Sequence, residues 1–218
     1  KNYYLIIFKW LCLDKLIWLF KLHSVQLFGF LKTKVKLSVI IPVFNEELTI
    51  KKVIKLVESS PVDLKEIIII DDCSTDSTRQ ILSEINSSLV RVLYNKSNKG
   101  KGYSLKRGFS EARGEICIVQ DADLEYDPHE YPKLIQPILE NKADVVYGSR
   151  FQGSGPHRVV YFWHRVGNGF LTLINNFFTD LNLSDMETCY KAFKRNIIQS
   201  IKIEDCLLYT SPSPRDSS

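Results

Sequence analysis

The sequence predicts an α/β domain built on a mostly parallel sheet with helices on both faces. Three observations carry this expectation. Short apolar runs rich in β-branched residues, among them "KLSVIIPV", "KEIIII" and "EICIV", alternate with stretches of helical periodicity. The segments between runs are long enough for the crossover helix that parallel strands require. A chain of 218 residues, 44% hydrophobic and 25% charged, has room for one full core, and two complete domains would be cramped.

From Lys36 the elements follow in order. "KLSVIIPV" reads as the first strand, and Asn45 as the N-cap of a helix whose Ile50, Val53, Ile54 and Val57 share one face. "KEIIII" is the second strand, Ser74 or Thr75 caps a helix over "DSTRQILSEI", and "VRVLY" is the third strand. "YSLKRGFSEA" reads as a helix and "EICIV" as the fourth strand. Asp127 followed by Pro128 is a cap and first-turn proline for a helix through Leu134 and Ile138, with a kink at Pro137. "ADVVYGS" gives a fifth strand, "VVYFWHRVGNGFLTLINNFF" an amphipathic helix, and "METCYKAFKR" a last helix that Asp185 can cap.

The ends differ in character. Residues 1–35 interleave aromatic residues and leucines with lysines, and charges interrupt every apolar run before the roughly 18 to 20 residues of a membrane span. They read either as a helix lying in an anionic membrane interface or as sequence foreign to the native protein. Residues 206–218, with the end "TSPSPRDSS", cannot build a core and read as a disordered, non-native tail; the catalytic domain, 36–205, is then expected to be truncated at its C-terminal side.

Charge and cysteine usage narrow the function. Residues 1–36 carry seven lysines and one aspartate, a local +6 against +4 for the whole chain, so the rest is about −2. A mildly acidic main domain without a basic stripe argues against nucleic acid as a partner. Five scattered cysteines, odd in number and without a C-x-x-C pair, fit a reducing compartment and argue against a disulfide framework or a zinc site. His157 and His164 flank an aromatic stretch with no third ligand nearby. No feature specifies an oligomeric state.

In sheets of this kind ligands lie beyond the carboxyl ends of the strands. That rim collects Phe44 to Glu46, Asp71 to Ser74, Asn98 to Gly102, Asp121 to Glu125, and Ser149 with Arg150. Two acidic clusters, "IIIIDDCSTD" and "ICIVQDADLE", end two different strands there, and crowded carboxylates repel unless a cation or hydrogen-bond donors compensate. Asp121 and Asp123, one residue apart, point the same way in extended chain and offer oxygen ligands suited to Mg2+ or Mn2+. "NKSNKGKGYSLKRG" adds Gly100 and Gly102 for close backbone approach and Lys99 and Lys101 for charge, at a helix start suited to a diphosphate.

Taken together, "LSVIIPVFNEE", "IIIIDDCSTDST", "NKGKGYSLKRGF", "QDADLEYDP" and "ADVVYGSRF" resemble glycosyltransferase family 2, in its dolichyl-phosphate mannose or glucose synthase-like branch, over residues 36–202. The resemblance implies a GT-A, Rossmann-like fold and inverting transfer of a hexose from UDP-glucose or GDP-mannose. The acceptor it implies is a polyprenyl or dolichyl phosphate at the cytoplasmic face of a membrane. It places Pro42, Phe44, Asn45 and Glu46 beside the nucleotide and Asp72 on the base or ribose with Asp71 beside it. Lys101 falls in the same nucleotide site. Asp121 and Asp123 match its metal-binding pair, with Glu125 open as a third contact. Arg150 matches an arginine near the acceptor phosphate, with Arg158 or Arg165 as a second.

Asp185 and Glu187 occupy the acceptor-facing position of the family. A hydroxyl acceptor needs a base such as these, whereas a lipid phosphate is already an anionic nucleophile. Transfer to a sugar hydroxyl is therefore an alternative. A phosphoacceptor signalling module is a second, resting on "IIIIDD" alone, although "QDADLE" and "GSRF" have no role in it.

Overall fold

The computed structural model describes residues 36–149 and 162–201. The expectations for 1–35 and 206–218, and for Arg150, His157 and Arg158, lie outside these residues, as does the side chain of His164.

The described chain runs β1 (Leu37–Val43), α1 (Ile50–Ser59), β2 (Lys65–Asp71), α2 (Thr78–Ser83), β3 (Val90–Tyr94), α3 (Gly100–Glu111) and β4 (Ile116–Val119). A 3-10 turn (Pro128–Glu130) then leads into α4 (Tyr131–Leu139), β5 (Val145–Tyr147), α5 (Phe162–Thr179), β6 (Lys191–Lys194) and α6 (Arg195–Ser200). These strands form one sheet in the order β3-β2-β1-β4-β6-β5. The β1–β2, β2–β3 and β1–β4 pairs are parallel, while β6 pairs antiparallel with both β4 and β5. The α/β architecture with a mostly parallel sheet is thus as expected.

The apolar runs read as strands because alternate residues feed two cores. Val39, Ile41, Ile67, Ile69, Ile116 and Ile118 face the cluster that takes Ile50, Val53, Ile54 and Val57 of α1 and Tyr131, Leu134, Ile135 and Ile138 of α4. Ile40, Ile68, Ile70, Cys117 and Val119 face Leu105 and Phe109 of α3 and Ile198 of α6. A strand buried on both sides shows no polar alternation, which is why "KEIIII" is continuous. Burial pushes the Cys117 thiol up to about 12, and that cysteine is a small apolar core residue.

Four local expectations change. Asn45 does not cap α1: that helix starts at Ile50, and the Asn45 side-chain oxygen accepts instead from the Thr75 amide at 2.8 Å. Neither Ser74 nor Thr75 caps α2; the nearest side-chain bond is from the Thr78 amide to Asp76 Oδ1, 3.0 Å. "METCYKAFKR" is not a helix, because Lys191–Lys194 is a strand wedged between β4 and β5. Asp185 accordingly caps nothing there. Asp121 and Asp123 do not lie in extended chain, since β4 ends at Val119 and the segment turns.

Helix α3 seats directly on the sheet, where a Cβ on Gly108 would stand 2.4 Å from Ile40 Cγ2. At Gly114, which follows α3, a Cβ would meet the Ser38 backbone nitrogen at 2.6 Å and the Leu37 carbonyl carbon at 2.8 Å, atoms that cannot yield. Gly114→Ala is therefore expected to cost about 1–3 kcal/mol in urea unfolding. Gly167→Ala on α5, where a Cβ meets nothing within 4 Å, should be neutral or stabilising by up to about 1 kcal/mol.

Candidate active site

Two rim loops are sewn together by side chain to backbone bonds. The Asn45 amide donates to Ser74 Oγ (3.0 Å), the Glu46 amide to Thr78 Oγ1 (2.9 Å) and the Glu47 amide to Asp76 Oδ2 (3.2 Å). In return the Ser77 amide donates to Glu47 Oε2 at 2.9 Å. The polar residues of "FNEE" and "STDST" are thus structural partners of each other. Asn45 (φ 54°), Cys73 (φ 65°) and Leu124 (φ 64°) hold left-handed backbone in three rim loops, a strain of about 1 kcal/mol or more each that recurs at functional sites.

Asp71 and Asp72 turn out to have different surroundings. Asp71 is fully buried, and its carboxylate accepts from Arg79 Nε at 2.7 Å and the Ser74 amide at 3.2 Å. Arg79 also donates to the Asn95 carbonyl and lies over the Tyr94 ring. The Asp72 carboxylate, 4% exposed, accepts from Asn95 Nδ2 (2.7 Å), from the Lys99 amide (3.1 Å) and from the Gly100 amide (2.7 Å). Gly100 reaches this geometry at φ 85°, which glycine adopts without strain. The α3 N-terminus therefore holds the protein's own carboxylate.

The Asp121–Glu125 turn is fixed from below. Gln120 is buried, its Oε1 accepting from Tyr131 Oη (2.7 Å) and Tyr190 Oη (3.0 Å) while its Nε2 donates to the Asp121 carbonyl at 3.0 Å. Ala122 is buried, and the Glu125 amide donates to Asp123 Oδ1 at 3.0 Å, closing the turn. The Asp121 carboxylate faces Lys101, with Nζ 2.6 Å from Oδ1. Burial first, and then the charge of Asp121, push the Cys189 thiol well above its usual range, and the side chain packs in the second core.

Among the described residues no group of three His, Cys, Asp or Glu side chains is arranged to hold a metal ion. The pair still fits a hard divalent cation. The donors are carboxylate oxygens, a protein ammonium already stands at one of them, and magnesium or manganese readily takes its other ligands from water and phosphate.

Helix α5 supplies a third wall. Asn168, Thr172 and Asn176 recur every fourth residue and face the loop ahead of β6. Asn168 Nδ2 donates to Asp185 Oδ1 (2.9 Å), Thr172 Oγ1 accepts from the Met186 amide (3.3 Å), and Asn176 bonds both the amide and the carbonyl of Leu183. Asp185 is buried and Glu187 exposed. The opposite face exposes Trp163, Phe170, Leu173, Phe177 and Phe178, and Arg165 is exposed at its start. No described helix is long and apolar enough to cross a membrane.

Of the expected site residues, Asp72, Lys101 and Asp121 meet at the α3 start, with Asp123 in the Asp121 turn, Pro42 near the end of β1 and Phe44, Asn45 and Glu46 in the loop after it. Asp71 is walled off by Arg79. Sequence reading missed Arg79, Asn95, Gln120 and Asn168. Only Gln120, directly before the acidic pair, carried a positional signal.

Fold and rim define an α/β architecture with acidic and basic side chains gathered at the strand ends, and comparison with known proteins makes the class specific. The family described as Glycosyl transferase family 2 matches residues 38–202, and the chain belongs to it. A dolichol-phosphate mannosyltransferase of Pyrococcus furiosus is 37% identical over 122 residues, 55% of this chain and 34% of its own length. The low-salt glycan biosynthesis hexosyltransferase Agl6 of Haloferax volcanii is 32% identical over 173 residues, 78% of this chain and 40% of its own. The chain thus spans well under half the length of these relatives. Among solved structures, glucosyl-3-phosphoglycerate synthase from Mycobacterium tuberculosis, in complex with Mn2+, UDP and glucosyl-3-phosphoglycerate, superposes with TM-score 0.56 at 25% identity. That match covers 76% of this chain and 59% of the synthase.

Asp127 accepts from the His129 amide at 2.9 Å and caps the turn before α4, as its position ahead of Pro128 implied. That amide, more than any other neighbour, holds the Asp127 carboxyl below the ordinary carboxylate range. A depressed folded-state pKa contributes stability above the unfolded value, near 3.9, and loses it as pH falls through the folded one. Asp127→Ala should cost about 1 kcal/mol at pH 7 and progressively less below pH 4, measured by thermal melting across pH.

Proposed function

We propose that this chain is the catalytic domain of an inverting, metal-dependent glycosyltransferase that moves a hexose from a nucleotide sugar to a polyprenyl phosphate. One observation carries the reading: two acidic strand ends meet at a single helix start, Asp72 on the α3 amides and Asp121 on Lys101. Anionic side chains gathered with an ammonium at the carboxyl rim of such a sheet suit a diphosphate bound through a cation. The family membership and the Mn2+ and UDP held by the mycobacterial synthase support the same reading.

Asp121 and Asp123 hold the divalent ion, Mg2+ or Mn2+, and Glu125 serves as a further outer contact. When bound, the ion neutralises charge on the departing nucleoside diphosphate. Pro42, Phe44, Asn45 and Glu46 border the nucleotide with Asp72 beneath it, and Lys101 adds a positive contact to the diphosphate. Asp71 acts through Arg79 and does not touch the ligand. Arg150, with Arg158 or Arg165, orients the acceptor phosphate, an anionic nucleophile that attacks without a strong base.

The exposed apolar face of α5, from Trp163 to Phe178, rests on the cytoplasmic surface of the membrane that carries the acceptor lipid. The dolichol-phosphate named for the archaeal relative supports this acceptor class. A panel of UDP- and GDP-hexoses with and without Mn2+ is expected to give metal-dependent thermal stabilisation by one donor, and Asp123→Ala to keep the fold while losing transfer by at least about 100-fold. Normal turnover in that variant would remove the metal assignment.

The bond from Asn168 to Asp185 favours one second reading, in which the oriented carboxylate takes a proton from a sugar hydroxyl and Glu187 assists. Product formed on membranes from labelled donor should be labile to mild acid for a lipid phosphosugar. An acid-stable product would establish the hydroxyl acceptor.

A further inference from the structure

The start of α3 is fixed by its backbone, and its second residue, Lys101, reaches across to Asp121. Asp72 holds the Lys99 and Gly100 amides, so the helix cannot shift to follow a ligand. Lys101 has a flexible four-carbon stem, and its ammonium rests 2.6 Å from Asp121 Oδ1 with the two side chains 36% and 20% exposed. On the other side the Asp121 carbonyl accepts from Gln120 Nε2, and Asp123 Oδ1 accepts from the Glu125 amide. Of the two charged side chains in the Lys101–Asp121 pair, the lysine has the longer reach.

We infer that Lys101 is an internal counter-cation that competes with the divalent ion for Asp121 and releases it only when a nucleoside diphosphate offers the ammonium another anion. The inference rests on the metal and donor reading above and adds an order to it: the metal enters well only together with the nucleotide. Two cations on one carboxylate repel each other at short range, so Lys101 weakens metal binding while it stays on Asp121. Once it turns to the diphosphate it strengthens the ternary complex, as a lysine point charge on phosphate does. The same side chain thus opposes the ion alone and favours the ion with its nucleotide, which couples the two bindings.

The test titrates the 218-residue chain with Mn2+, reading free Mn2+ by electron paramagnetic resonance, first alone and then with saturating UDP or GDP. Lys101→Met is expected to bind Mn2+ alone about fivefold more tightly than the unsubstituted protein. The gain in Mn2+ affinity on adding nucleotide should shrink by at least that factor. Lys101→Gln should behave as the methionine variant, and Lys101→Arg, which keeps the charge, should follow the unsubstituted pattern. Suppose the unsubstituted protein binds Mn2+ with nucleotide, but Met and Gln variants bind Mn2+ alone no more tightly; the counter-cation role is then overturned while the metal reading stands. If the unsubstituted protein takes up no Mn2+ with either nucleotide, the metal reading itself fails and this inference with it.

Discussion

The rim depends on one carboxylate. Asp72 leaves the end of β2 and receives the first amides of α3 together with the Asn95 side chain, so a single buried anion fixes strand end, loop and helix start against each other. Helix amides and their dipole favour a negative charge at that point, and here the protein supplies it. Everything further along α3 inherits this placement. Gly108 can seat against Ile40 and Ile70, and Lys101 stands opposite Asp121, because the helix begins where Asp72 holds it.

Helix α5 inverts the usual arrangement of a surface helix. Its inward face is polar, with Asn168, Thr172 and Asn176 bonded to the loop that carries Asp185, while large apolar side chains face outward, Trp163 79% and Phe177 81% exposed. A helix that buried its apolar stripe in the core would have nothing left to hold that loop. Here the hydrogen bonds go to the loop and the apolar surface faces outward, so one helix both anchors Asp185 and presents the exposed aromatic face.

The chain made the parallel core legible and hid the pieces set by distant pairing. The β-branched runs of β1, β2 and β4 and the apolar face of α1 are local signals that burial on both sides of the sheet enforces. "QDADLE" was readable because acidic residues directly after an apolar strand call for compensation. β6 was not: Met186, Tyr190 and Phe193 recur at helical spacing, and the strand exists because Ala192 and Phe193 find partners on Ile118 and Cys117, some seventy-five residues away. Asn45 likewise looked like a cap, since a sequence shows donors and acceptors without showing which of its own atoms will claim them. The two tyrosine hydroxyls that hold Gln120 were invisible for the same reason.

The one reversed strand has a topological consequence. Because β6 runs against β4, it begins beside the end at which β4 finishes, and the segment leading into it, Asp185 to Tyr190, arrives next to the Asp121 turn; Cys189 is the contact, its amide on Tyr126 Oη and its thiol toward the Val119 carbonyl. A β6 of the same four residues laid parallel would deliver that segment to the far edge of the sheet, about 13 Å away at 3.3 Å per residue. The direction of a single short strand thus decides whether the Asp185 loop and the Asp121 turn are neighbours or strangers.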